Sequence, residues 1–290
     1  MALIVEKIPP GKAHPLDPYL RLERIPTLWC PGCGLGIILA TLLRAIDRRT
    51  REGVVDRNKI VFVTGIGCSA RSTFYVKFDG AHTLHGRAIA FAIGAKLANP
   101  SLETIVIGGD GDIAAIGGNH LIHAARRNMD MIVIMNTNFI YAMTGGQVAP
   151  TTPPGVLTTT TPDPYRNFER PMNVIRLMSA FDVNYVARGS TIYPQLLEQY
   201  FYRSLGMKGF RFIEVISTCP EIFGRHIGLR KPIDLYRDLK KRLKVKQKPS
   251  ISESELNWDG EIVLGEYIIN DYPSYIELIN RELFGKVVRE

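Results

Sequence analysis

The chain has 290 residues, 46% of them hydrophobic, enough to bury a full core in one large domain or two small ones. It contains no uncharged apolar run of about 18 residues that could span a bilayer, and an N-terminus carrying Glu6, Pro9 and Pro10 does not read as a secretory leader. The formal net charge is +8, from 36 Lys and Arg against 28 Asp and Glu. A soluble, cytoplasmic protein is therefore expected, with no membrane and no nucleic-acid partner, since neither a helix-turn-helix pattern nor an aromatic-interleaved basic motif occurs. Much of the basic excess falls in residues 225–248. A solvated helical face explains it, and so does electrostatic steering of an acidic partner.

Residues 1–28 read as an irregular arm ending near Pro26. An amphipathic helix is predicted over 34–49, where Ile37, Ile38, Leu42, Leu43 and Ile46 recur at helical spacing. A short apolar strand over 60–63 runs into Gly65-Ile66-Gly67-Cys68, and an Ala- and Gly-rich helix over 85–97 stops at Asn99-Pro100. The strand over 104–107 runs into Gly109-Asp110-Gly111; a helical pattern follows, then a strand over 131–135 ending in Asn136-Thr137-Asn138. Residues 141–171 form a long proline-bearing loop, which in a compact domain is usually functional or disordered. A helix over 173–181, a strand over 185–187, a helix over 193–205 and a last strand over 210–216 complete the pattern and deliver Cys219-Pro220. Alternating strands and helices predict an α/β fold with a doubly wound, mostly parallel sheet. The expected division is an arm (1–28), an α/β domain (29–225) and a charged C-terminal extension (226–290) that packs on a neighbour or wraps the core.

The stretch around Gly-Asp-Gly concentrates the chemistry. Glycines at a strand end let backbone N–H groups approach an anion closely. Asp110 adds a hard oxygen ligand, and Asn138, 28 residues later at the end of the next strand, can supply another. Together they suit Mg²⁺ holding a diphosphate at neighbouring strand ends. Asp112 could instead cap the following helix, and His85 could be a core histidine. His120 and His123, at i and i+3, fit helix packing better than metal ligation. The four cysteines, Cys30, Cys33, Cys68 and Cys219, suit metal or redox chemistry more than disulfides in a cytosolic protein. Spacing alone leaves zinc and an Fe–S cluster both open.

The Gly-Asp-Gly…Asn spacing resembles the thiamine diphosphate motif. Five flanking motifs narrow it: Trp29-Cys30-Pro31-Gly32-Cys33-Gly34, Gly65-Ile66-Gly67-Cys68-Ser69, His85-Gly86-Arg87, Ile116-Gly117-Gly118-Asn119-His120 and Met143-Thr144-Gly145-Gly146-Gln147. Over about residues 25–225 the chain resembles the β subunit of 2-oxoacid:ferredoxin oxidoreductases. That resemblance implies a sheet of the thiamine diphosphate-binding (diphosphate domain) type, and a [4Fe–4S] cluster on Cys30, Cys33, Cys68 and Cys219. It implies Mg²⁺ on Asp110, Asn138 and the Ile140 carbonyl, with Gly109, Gly111 and Asp112 at the diphosphate and His85 near it. Ile66, Gly67 and Ser69 would line the thiazolium side, and Ala142, Met143 and Thr144 would border the cofactor. No catalytic side chain is assigned to this chain. The carboxylate that activates the aminopyrimidine is expected on an α subunit, in an (αβ)2 assembly with a γ subunit as a further candidate, and the chain alone is expected to be inactive.

The reaction so implied is CoA-dependent oxidative decarboxylation of a 2-oxoacid with electrons passing through the cluster to ferredoxin, reversible as reductive carboxylation. The Ile116–His120 motif and Arg126-Arg127-Asn128 look more like the 2-oxoglutarate enzymes, giving succinyl-CoA and CO2, than like those acting on pyruvate or branched-chain 2-oxoacids. Gly145 replaces a lysine that many relatives carry, and Arg71 is the candidate cation for a distal substrate carboxylate. A non-redox thiamine diphosphate decarboxylase or carboligase would not need four cysteines. A zinc-stapled binding protein would leave Asp110 and Asn138 unexplained.

Overall fold

The computed structural model of the chain describes residues 14–285, so residues 1–13 of the expected N-terminal arm lie outside the described residues. Eight strands form a single sheet: β1 (Ile60–Thr64), β2 (Asp79–His82), β3 (Glu103–Gly109), β4 (Met131–Thr137), β5 (Tyr185–Ser190), β6 (Phe210–Ile216), β7 (Leu243–Val245) and β8 (Ile262–Ile269). Their spatial order is β2-β1-β3-β4-β6-β5-β8-β7, with every pairing parallel except β5 with β8. The central strands β3, β4 and β6 carry apolar runs facing both sides of the sheet, Ile105–Ile107, Met131–Met135 and Phe210, Phe212, Ile213, Val215 and Ile216, as strands buried on both faces must.

The helices divide between the two faces. On one face α1 (Leu35–Arg51) and α6 (Pro194–Ser204) cover Phe62, Ile105, Ile107, Ile132 and Ile134. The other face carries α3 (Ala88–Ala98), α4 (Gly118–Arg126) and α5 (Val174–Met178) over Val63, Val106, Val133 and Phe212. Consecutive strand residues thus alternate between two apolar layers. A short helix, α2 (Ser72–Tyr75), follows β1, and α7 (Pro232–Arg242) precedes β7; α8 (Tyr275–Ile279) comes last.

Three elements differ from expectation. The edge strand β2 has the sequence Asp-Gly-Ala-His, which carries no apolar alternation, and it is recruited by pairing with β1. After Gly-Asp-Gly the chain makes a π-helical turn over Gly111–Ile116 before α4 begins, a wide turn typical of functional sites. Most consequentially, β6 is not the last strand. Residues beyond 225 add β7 and β8 to the same sheet, so the charged extension continues the core as well as covering it.

A buried ion pair fastens that addition. Arg188 Nε donates to Glu214 Oε2 at 2.7 Å with both side chains fully buried, and Arg188 Nη2 donates to the Ser254 carbonyl at 2.8 Å. Glu214 Oε1 also accepts from Thr137 Oγ1 at 2.9 Å, so β4, β5, β6 and the segment before β8 meet at one charge pair.

Candidate active site

The carboxyl ends of β1, β3, β4 and β6 converge, the position at which open α/β sheets bind ligands. The residues expected to contact thiamine diphosphate or Mg²⁺ line one pocket there, built from 66–69, His85, 109–112, Asn138 and 140–144. It encloses only about 70 Å³, well below the roughly 300 Å³ of a small closed ligand site. The chain by itself encloses less space there than a thiamine diphosphate would fill.

Asp110 is fully buried just past β3. Its Oδ1 accepts from Gly111 N at 2.9 Å, and its Oδ2 accepts from Phe139 N at 3.0 Å and from the Thr151 hydroxyl. Burial pushes its carboxyl up to about 6, against the pull of those three hydrogen bonds. Across from it, the Asn138 side-chain amide lies 3.2 Å from Asp110 Oδ1 and 3.1 Å from the Ile140 carbonyl oxygen. With its oxygen turned inward, the amide would offer a third oxygen beside those two, a set that a hard cation would join. Octahedral Mg²⁺ with ligands at about 2.1 Å places neighbouring oxygens about 3 Å apart, so the donor set fits that ion. Turning the amide over would instead let its nitrogen donate to both oxygens. With the oxygen turned inward, the Asn138 N–H is available to Cys219, whose thiol it helps to hold down against the upward push of burial.

Asp112 neither caps a helix nor reaches outward. Its Oδ1 accepts from His85 Nδ1 at 2.6 Å, from Gly86 N at 2.7 Å and from Ile66 N at 3.3 Å. Its carboxylate lies against Gly65 and Gly108, where an added Cβ would strike it, and Oδ2 is buried without a hydrogen-bond partner. Asp112 therefore ties the turn after β1 to the loop before α3. Because His85 Nδ1–H points at the carboxylate, Nε2 is left to face the pocket, which His85 lines. A Cβ on Gly109 would project into the pocket with only Ser69 Oγ nearby, at 3.9 Å, so glycine there leaves room for a ligand against the backbone.

The four cysteines surround a second cavity of about 220 Å³. Three loops carrying them are stitched together: Trp29 Nε1 donates to the Cys68 carbonyl at 2.8 Å, Thr218 Oγ1 to the Gly32 carbonyl at 2.7 Å, and Gly34 N to the Thr218 carbonyl at 3.0 Å. Burial pushes the Cys33 thiol up to about 12 and raises Cys68 and Cys219 as well. Among the described residues no group of three or more His, Cys, Asp or Glu closes on a single ion. The two cavities share a wall made of Cys68, Asn136, Asn138, Ala142 and Met143. Arg71 lines the cysteine cavity and not the cofactor pocket, with Nη1 donating to the Leu28 carbonyl at 3.1 Å.

Several participants carried no signal in the sequence. Thr151 comes from the long loop, where nothing marks one threonine among many; Tyr141 donates to the Gly111 carbonyl at 3.2 Å. Asn136 Oδ1 accepts from Ser217 Oγ at 2.5 Å, tying the end of β4 to the loop after β6. His120 pairs with Arg87 at 3.0 Å, and His123 is exposed. The long loop itself is packed: Thr152 donates to the Phe139 carbonyl, and Asn167 Nδ2 to those of Thr152 and Pro153.

The chain is similar to known proteins over most of its length. Residues 63–215 match the family "Thiamine pyrophosphate enzyme, C-terminal TPP binding domain". The "2-oxoglutarate synthase subunit KorB" of Methanocaldococcus jannaschii is 43% identical over 92% of this chain and 97% of its own length, and that of Archaeoglobus fulgidus is 46% identical over 81% and 84%. The chain belongs to the β-subunit family of 2-oxoacid:ferredoxin oxidoreductases. A more distant family member, the β subunit from Saccharolobus solfataricus, is 43% identical over 66% of this chain and 62% of its own. The fold agrees as well: the 2-oxoglutarate:ferredoxin oxidoreductase of Magnetococcus marinus, solved with 2-oxoglutarate, coenzyme A and succinyl-CoA bound, superposes with a TM-score of 0.80 at 29% identity, covering 98% of each chain. These relatives are themselves named as subunits. Among the described residues no helix is long and apolar enough to cross a membrane.

Proposed function

We propose that this β subunit holds Mg²⁺–thiamine diphosphate and a [4Fe–4S] cluster side by side, and that its assembly converts 2-oxoglutarate and CoA to succinyl-CoA and CO2. Cys30, Cys33, Cys68 and Cys219 would hold the cluster, which would supply one-electron transfer of the two electrons released toward ferredoxin. The observation that carries this reading is the shared wall: Cys68 and Asn138 each line both the diphosphate pocket and the cysteine cavity.

When bound, thiamine diphosphate supplies the electron sink for decarboxylation, and the cluster supplies one-electron storage. This chain's residues do the holding. Asp110, Asn138 and the Ile140 carbonyl are placed to grip the metal, Thr151 and the Phe139 N–H hold the Asp110 carboxylate in position, and Asp112 with His85 fixes the turn on which Ile66, Gly67 and Ser69 sit. Four thiols spread around a cavity suit a polynuclear cluster better than zinc, whose bonds of about 2.3 Å would draw them onto one point. With so little space enclosed here, the α subunit is assigned the opposite wall and the carboxylate that activates the aminopyrimidine. The 2-oxoglutarate synthase relatives favour that substrate; Arg71 lines the cysteine cavity and not the cofactor pocket, so it is not assigned to the substrate's distal carboxylate.

The test is the cofactor content of the complex, purified without oxygen after co-expression with its α subunit. Four irons, four sulfides and one thiamine diphosphate per β chain are expected. Stoichiometric zinc in place of iron would overturn the redox reading.

A further inference from the structure

Outside the reaction centre, a groove of about 350 Å³ runs along the outer side of the Cys30–Cys33 loop. Ile37, Ile192, Ile233 and Tyr236 give it an apolar floor, while Cys33 and Thr218 belong both to it and to the cysteine cavity. A protein seated there would touch the loop assigned to the cluster.

The charge around this groove is predominantly positive. Residues 225–248 contain ten Lys or Arg against two Asp, a net +8, while the rest of the chain balances 26 against 26. Part of that excess has a structural reason: Lys240, Lys241 and Arg242 sit in the last turn of α7, where cations favour the helix dipole. Arg230 and Lys231 do not. They lie exposed at the N-terminal end of α7, where a cation opposes the dipole, and Lys231 makes no capping hydrogen bond. Arg44, exposed two turns beyond Ile37 on the same face of α1, adds a third charge. Arg225 pairs with Glu221, but Arg44, Arg230 and Lys231 make no ion pair among the described residues. An apolar floor beneath an unneutralised basic rim has the make-up of an interface for a negatively charged protein.

We propose that this groove and its basic rim are the docking face for the acidic electron-acceptor protein. The proposal rests on the cluster assignment above, and it names the surface through which the cluster is discharged.

The experiment measures binding of an acidic [4Fe–4S] ferredoxin to the anaerobically purified complex by titration calorimetry at two salt concentrations. Reversing the rim (Arg230→Glu with Lys231→Glu) is expected to weaken binding about tenfold or more and to flatten its salt dependence. Reversing the far end of the basic segment (Lys244→Glu with Lys248→Glu) is expected to change affinity less than about threefold. A neutral pair, Arg230→Gln with Lys231→Gln, should fall between wild type and reversal, guarding against a misfolded variant. Unchanged binding after rim reversal would overturn the proposal, including the case in which a partner subunit or a second copy already covers the face. Equal losses from both reversals would overturn it too, leaving only non-specific attraction. Binding does not require turnover, so a complex that binds ferredoxin at this rim yet oxidises no 2-oxoacid would keep the docking face and discard the enzymatic reading.

Discussion

The side-chain amide of Asn138 lies 3.2 Å from Asp110 Oδ1, across the gap between the ends of β3 and β4. Two residues 28 apart in sequence are brought together because β3 and β4 are parallel neighbours: Asp110 follows the last pair of their ladder, Gly109 with Asn136, by one residue and Asn138 by two. Asp110→Ala is therefore expected to lower Mg²⁺–thiamine diphosphate affinity about 100-fold or more, and Thr151→Val, which removes a hydroxyl bound to the same carboxylate, about 10- to 100-fold. Fluorescence titration with the cofactor measures both. An undiminished affinity in Asp110→Ala would remove the magnesium assignment.

Acid should weaken the same site. The unfolded Asp110 carboxyl titrates at 3.8 and the folded, metal-free one at about 6, because burial disfavours its charge. The buried charge thus weighs against the metal-free fold above about pH 6, and that penalty is gone below about pH 4. Magnesium requires the carboxylate, so its apparent affinity should be level above about pH 6 and fall about tenfold per pH unit below it. Calorimetric titration with Mg²⁺ at stepped pH checks this, and a flat profile down to pH 4 would contradict it.

Asp112 is expected to act by positioning. Asp112→Ala would leave Ile66 N–H, Gly86 N–H and His85 without their acceptor, costing about 2–4 kcal/mol of stability and about tenfold or more in cofactor affinity. Asp112→Asn, which keeps an acceptor oxygen, should recover most of the stability. Thermal unfolding of the two variants separates this role from direct contact with the cofactor, under which both would bind poorly at wild-type stability.

How much of this could be read in advance varies with the kind of residue. The ends of β6 fall where its apolar run predicts them, and the glycine-framed Asp110 and the four cysteines stand out because their chemistry is rare and their spacing informative. Thr151 is invisible by comparison: its role comes from a loop folding back over 41 residues to reach a carboxylate. The strand β8 was hidden differently. Its Ile-Val-Leu-Gly-Glu-Tyr-Ile-Ile run is strand-like, but it follows a strongly charged segment and joins the sheet through a non-local antiparallel pairing with β5.

That pairing should depend on the charge pair beneath it. Arg188→Met would leave Glu214 buried with Thr137 as its remaining side-chain partner, at a cost of about 3–5 kcal/mol. Denaturant unfolding of the complex measures it, and a loss below about 1 kcal/mol would mean that the pair is dispensable.

The most direct test of the whole account is electron transfer by the anaerobically purified complex, following ferredoxin reduction with 2-oxoglutarate, pyruvate or 2-oxoisovalerate, each with and without CoA. The account predicts CoA-dependent reduction with 2-oxoglutarate and none from this chain purified alone. Reduction by pyruvate or 2-oxoisovalerate instead would overturn the substrate. No reduction by any 2-oxoacid, from a complex loaded with thiamine diphosphate and iron, would contradict the account at its centre.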